Sequence, residues 1–238
     1  SFVSVPKGGA IYCNMDADAD KEIVFGVGQK LFAKNIDGTD VQGWPVLFPA
    51  NFEINNSPSY GDIDGDNLGE IVVSLAGASS GFIYAYKQNG SLASGFPITL
   101  GRFPLLPVLA DLDSNGTMEI IVGKYISSVA GEMNVYSGNG AMYSGWPAQL
   151  GEWPGSSVAV GDINGDGSKE IVGESRNSIW VWDKNGNVLP GFPFDIDTAN
   201  VIITSYSAPI LVDIDNNGSK EIVFGAHNPG GVVYVVKN

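Results

Sequence analysis

The sequence is poor in the residues that carry most enzyme chemistry. Among 238 residues there is one cysteine (Cys13), one histidine (His227) and two arginines (Arg102 and Arg176). A single cysteine excludes an internal disulfide, and one cysteine with one histidine leaves too few soft ligands for a zinc cage. The same scarcity leaves no Ser-His-Asp set and no second histidine for an acid–base pair. There is no run of about 18 apolar residues, so nothing reads as a membrane-spanning helix. Ser1 to Ala10 lacks the charged and apolar blocks of a signal peptide, which a secreted form would have shed. Basic residues are few as well: 12 Lys and Arg stand against 26 Asp and Glu, a formal charge of −14. A surface that acidic repels nucleic acid and anionic membranes, and excludes both as partners.

What is present points to an all-β chain. Glycine is abundant (32 residues), proline moderate (13), and 44% of residues are apolar. That composition suits a sizeable core built from many short strands and tight turns, in one domain spanning 1–238. Cys13 closes the apolar run Ala10 to Cys13 and reads as a buried, inert thiol.

Internal repetition organises the chain. Five acidic segments begin at Asn14, Asp62, Asp111, Asp162 and Asp213, spaced by 48, 49, 51 and 51 residues. Each is followed by an alternating apolar stretch such as Phe82 to Tyr86 or Ile179 to Trp182. A hairpin signal comes next (Asp37-Gly38, Asn89-Gly90, Asn139-Gly140, Asn185-Gly186), then a Gly-aromatic-Pro triplet. The triplets are Gly43-Trp44-Pro45, Gly95-Phe96-Pro97, Gly145-Trp146-Pro147 and Gly191-Phe192-Pro193. Asn-Gly between alternating runs is a strong hairpin signal. Four strands in a repeat of 40 to 50 residues is the pattern of a propeller blade. The expectation is a five-bladed β-propeller with four antiparallel strands per blade. The fifth unit shows three strands, and Ser1 to Val5 is a spare strand-like segment. Pairing that segment onto the last blade would close the ring and hide its edge.

The acidic segments read as cation loops. Positions 1, 3 and 5 are Asn14, Asp16 and Asp18; Asp62, Asp64 and Asp66; Asp111, Asp113 and Asn115; Asp162, Asn164 and Asp166; Asp213, Asp215 and Asn217. Position 9 is always glutamate: Glu22, Glu70, Glu119, Glu170 and Glu221. Alternating oxygen-bearing side chains in a tight loop point at one centre, and a terminal carboxylate closes the shell. Calcium, which takes six to eight oxygens in a flexible cage, suits this set better than magnesium. Seventeen of the 26 acids lie inside these loops, so the charge of −14 is a property of the loops and needs no basic partner. Up to five ions are expected, one per repeat. The first loop is expected to be weakest, because it has Asn14 at position 1, Ala19 rather than glycine or asparagine at position 6, and an extra acid, Asp20.

The pattern Asp-x-Asp-x-Asp-Gly-x-x-Glu followed by Ile-Val-x-Gly resembles the FG-GAP/VCBS repeat of integrin α-chain heads and of secreted, often lectin-like, propellers. All five segments carry it. The resemblance implies calcium between the first and second strands of each blade, an extracellular setting, and adhesion or glycan binding. Five units instead of seven set the chain apart from the integrin pattern.

Loops of variable length in a repeat array mark its binding face. Here they collect Phe48, Arg102, Phe103, Tyr125, Trp153, Arg176 and His227 as candidate ligand contacts. The functional expectation is a calcium-stabilised extracellular module, most simply a monomer, that recognises glycan or protein. The alternatives are an architectural domain of a larger secreted protein and a polysaccharide lyase-like enzyme, for which Arg176 and Tyr125 are the nearest candidates.

Overall fold

The computed structural model describes residues 8–16, 18, 20–77, 80–101, 104–127, 129–195, 208–226 and 231–237. Ser1 to Val5, the expected closing strand, lies outside the described residues, as do Arg102, Phe103 and His227. No helix occurs among the described residues, and none is long and apolar enough to cross a membrane.

Five antiparallel sheets follow the five repeats. The first is β1 (Ile11–Cys13), β2 (Glu22–Val27), β3 (Lys30–Lys34) and β4 (Val46–Leu47), in chain order. The second runs β5 (Glu53–Ile54), β7 (Glu70–Ala76), β8 (Gly81–Tyr86), β9 (Ile98–Leu100), with β6 (Ser59–Gly61) also paired to β7. The third holds β10 (Val108–Ala110), β11 (Glu119–Ser127), β12 (Ala130–Tyr136) and β13 (Ala148–Gln149). The fourth holds β14 (Ala159–Gly161), β15 (Glu170–Glu174), β16 (Ser178–Trp182) and β17 (Phe194–Asp195). The fifth has three described strands, β18 (Ile210–Val212), β19 (Glu221–Ala226) and β20 (Val232–Val236). β-Branched and aromatic residues dominate β2, β8, β11, β16 and β20, as a pleated, packed surface favours.

The described residues gather into two compact units. One takes those up to Leu109 with 116–120 and 136–141; the other takes 110–115, 121–135 and the described residues from 142 onward. In the first unit Val24, Leu31, Trp44, Phe48, Ile71, Val73, Leu75, Tyr84 and Tyr86 form one buried cluster. In the second, Ile163, Val172, Ile179, Val181, Ile222 and Phe224 do the same. Cys13 belongs to the first cluster, and burial, more than the neighbouring Glu22, pushes its thiol up to about 12. Such a thiol is protonated and unreactive at neutral pH.

The Gly-aromatic-Pro triplets have a packing role. Trp44 and Trp146 donate their indole N–H to the carbonyls of Gln88 (2.7 Å) and Lys184 (2.9 Å), each in the following repeat's turn. Gly43 and Gly145 have φ of 91°, and a Cβ on either would lie 2.0 and 1.9 Å from the carbonyl oxygens of Asn89 and Asn185. The first three triplets thus dock their repeats on the next one's Asn-Gly hairpin, and only glycine fits there. All four X–Pro bonds of the triplets are cis.

Candidate functional site

Each acidic loop joins the first two long-paired strands of its sheet, as the spacing predicts. The pairing puts the closing glutamate opposite the residue just before position 1: Cys13 faces Glu22, Gly61 faces Glu70, Gly161 faces Glu170, and Val212 faces Glu221. The five glutamates are at most 2% exposed. The carboxylates of Glu22, Glu70, Glu170 and Glu221 reach back across the loop, and Oε2 accepts the N–H of position 2: Met15 (2.6 Å), Ile63 (3.1 Å), Ile163 (3.0 Å) and Ile214 (2.9 Å).

The other acids brace the turn. Asp62 accepts N–H groups from Gly65 (2.7 Å) and Asn67 (2.8 Å), and Asp162 does the same with Gly165 (2.7 Å) and Gly167 (3.0 Å). Asp213 accepts from Asn217 (3.1 Å) and Gly218 (2.9 Å). Position 5 accepts two residues on, from Leu68 to Asp66 and from Ser168 to Asp166. In the first loop Asn14 instead donates its amide to the Asp18 carbonyl (3.1 Å), so the double acceptor at position 1 is lost. Position 6 is left-handed at Asn67, Gly116, Gly167 and Gly218, and so is position 4 at Gly65, Ser114, Gly165 and Asn216. Position 4 holds alanine, glycine, serine and asparagine across the loops, so its composition signals the left-handed turn less clearly than position 6; both alternate with the inward-facing acids for the same steric reason.

These turns bring carboxylates together. In four loops three acids come within 4.8 Å of one another: Asp16, Asp18 and Glu22; Asp62, Asp64 and Asp66; Asp111, Asp113 and Glu119; Asp213, Asp215 and Glu221. In the fourth loop Asn164 takes position 3 and donates to Asp166 Oδ2 (3.0 Å). A cavity of about 400 Å³ opens over that loop, lined by Asn164, Asp166, Glu170, Asp183 and Asn187.

One atom tests whether a cation fits. Oε1 of Glu70 is buried with no hydrogen-bond partner, while Oε2 is engaged by Ile63. Burial first, then Asp64 and Asp66, push the Glu70 carboxyl up to about 7. Glu170 is pushed up by burial, with Asp166 and Asp162 adding to it. A buried, unpartnered carboxylate oxygen beside two more carboxylates is what a hard cation with oxygen ligands would satisfy. The residues present fit calcium.

Neighbouring loops are chained. The position 1 carbonyls of Asn14, Asp62 and Asp111 accept from Tyr60 Oη (2.5 Å), the Met118 amide (2.8 Å) and Lys169 Nζ (2.6 Å), each from the following repeat. Sequence spacing carries no signal for these contacts.

The expected ligand residues divide. Phe48 is 5% exposed, and its ring packs edge-on against Tyr84 (5.2 Å) and Tyr86 (5.9 Å), so it serves the core. Tyr125 and Trp153 are half-buried and meet edge-to-face at 5.8 Å. Arg176 is exposed and its backbone N–H donates to the Trp153 carbonyl (3.1 Å). Beside them Glu152 accepts from the Asn177 amide and side chain (3.0 and 2.9 Å), which fixes the turn that carries Arg176.

No family model and no curated protein sequence matches the chain. Solved structures do. The fold is similar to that of the Vibrio cholerae biofilm matrix protein Bap1 (TM-score 0.65, 17% identity), covering 100% of this chain and 43% of that one. It is similar to the C-terminal domain of PilY1 from Pseudomonas aeruginosa (TM-score 0.66, 17% identity), covering 91% of this chain and 57% of that one. It is also similar to the rhamnogalacturonan lyase PL11 of Bacillus licheniformis (TM-score 0.56, 16% identity), covering 94% and 56%. This chain therefore spans about half the length of these three solved proteins. At these identities the likeness is one of fold.

Proposed function

We propose that the chain is a five-bladed, calcium-stabilised β-propeller of the FG-GAP/VCBS kind, acting outside the cell as a single binding domain for glycan or protein and not as an enzyme. The observation that carries the metal assignment is Glu70: a fully buried carboxylate with one unpartnered oxygen, pushed up by burial and by the charges of Asp64 and Asp66, in a loop pattern that recurs in every repeat. In each loop positions 1, 3, 5 and 9 would hold the ion. When bound, calcium neutralises carboxylates that otherwise repel each other and ties the first strand of a blade to the second.

The binding face is assigned to Trp153, Tyr125 and Arg176. A half-buried aromatic pair, with the exposed residue Arg176 tied to it through its backbone N–H, supplies a stacking surface and a cationic side chain, a combination that recognises sugars or acidic chains. The loop acids are committed to bracing backbone amides, which supports binding over proton transfer. The occurrence of this fold in a biofilm matrix protein is consistent with an extracellular, architectural setting. A glycan array with and without chelator tests the reading. Binding by wild type that is lost in Trp153→Ala and Arg176→Ala, with their melting temperatures retained, is the expected result. Retained binding in both variants removes the assigned face.

A further inference from the structure

In the second loop a cation is already present. Lys87 Nζ lies 2.7 Å from Asp64 Oδ2 and 3.3 Å from Asp66 Oδ2, at positions 3 and 5. In the fifth loop Lys237 Nζ lies 2.5 Å from Asp215 Oδ2, again position 3. The two lysines are equivalent. Each follows the residue that pairs with the isoleucine after the closing glutamate, Tyr86 with Ile71 and Val236 with Ile222. Two repeats thus place an ammonium on the same oxygen, in separate units of the molecule.

The corresponding residues elsewhere differ in charge. In the fourth repeat the place is taken by Asp183, after Trp182, which pairs with Ile171; Asp183 lines the cavity over its loop. Its carboxylate accepts from the amides of Asn185 (2.8 Å) and Asn187 (2.9 Å), so it is held in place by its own hairpin. In the third repeat it is Ser137, and the position 3 carboxylate, Asp113, accepts a neutral hydroxyl from Tyr143 (3.1 Å).

Given calcium in the acidic loops, as proposed above, we infer that Lys87 and Lys237 are tethered cations that compete with calcium, so that the second and fifth loops hold their shape without the ion and bind it more weakly than the third and fourth. Among the second to fifth loops, the residue leaving the third strand adds to loop composition in setting the rank of each site. The lysine is suited to this role because its backbone is fixed independently of its side chain. The Lys87 amide donates to the Ser91 carbonyl (2.8 Å), and its carbonyl accepts from Gly90 (2.9 Å). The flexible stem can then release the carboxylates when a divalent ion arrives, whereas a guanidinium or a fixed side chain would not move as freely. Displacing two partly exposed lysine–carboxylate contacts should weaken calcium binding roughly three- to tenfold.

The test is calorimetric titration of the metal-free full chain with calcium, together with melting of the metal-free protein. Lys87→Gln should tighten its site roughly three- to tenfold and Lys237→Gln, which removes a single and more exposed contact, about twofold. Both should lower the metal-free melting temperature, a deficit that excess calcium removes. Lys87→Arg, which keeps the charge, should melt like wild type without metal. If it instead shows the metal-free deficit of Lys87→Gln, the effect is one of packing and the assignment is overturned. Calcium binding that is equal in wild type and both glutamine variants overturns the lysine assignment and leaves the calcium reading intact. A wild type that takes fewer ions than Lys87→Gln supports the tethered cation and shows that the native second loop is closed to calcium. Calcium binding by none of the proteins overturns both.

Discussion

Replacing Glu70 by glutamine should have opposite effects with and without calcium. In the metal-free protein the Glu70 carboxyl sits at about 7 instead of its ordinary 4.5, because it is buried first and faces Asp64 and Asp66 second. The folded state therefore holds a proton that the unfolded chain has released. Its contribution to stability is complete below pH 4.5 and is lost as pH rises to about 7. That interval corresponds to about 3.4 kcal/mol at most. Glutamine mimics the protonated acid and keeps an oxygen for the Ile63 amide, so Glu70→Gln should lack this loss. In excess calcium at pH 8 the sign reverses: the ion holds the carboxylate charged, and the variant, lacking that charge, should be the less stable protein. Denaturant melts of both proteins at pH 5 and pH 8, desalted after chelation and again with calcium, measure this directly. Parallel loss of stability between pH 5 and pH 8 in metal-free wild type and Glu70→Gln would refute the reasoning.

Calcium itself should raise the melting temperature strongly, since each ion at 100-fold saturation adds about 2.7 kcal/mol to the folded state; a melting curve indifferent to chelation would remove the metal sites. Glu170→Gln should cost more calcium affinity than Glu22→Gln, because Asn14 already spends its side chain on the Asp18 carbonyl; titration showing equal losses would put the first loop on a par with the fourth. Gly145→Ala should destabilise by about 3 kcal/mol or more, since its Cβ would fall 1.9 Å from the Asn185 carbonyl at φ 91°, and a thermal melt within a degree of wild type would show that the repeats are not docked there.

Local features were legible in the sequence, and contacts between distant segments were not. The period near 50 residues, the strand on either side of each acidic loop, the hairpin turns and the inward acids all follow from short-range chemistry: alternation, asparagine and glycine in turns, and oxygen every second residue. Those signals lie within about ten residues and survive being read one repeat at a time. The tertiary structure alone decided what crosses between segments. It turned the closing glutamates back onto the amide at position 2, set the Gly43 and Gly145 backbones against the next repeat's turn, and drew Phe48 into the core beside Tyr84 and Tyr86. It also grouped Tyr125, Trp153 and Arg176, and put Lys87 over Asp64 and Asp66 from 23 and 21 residues away. The loops look nearly alike in sequence because the same turn must be closed five times. What stands over each loop comes from another strand, and sheet register, not loop composition, determines which charge arrives there.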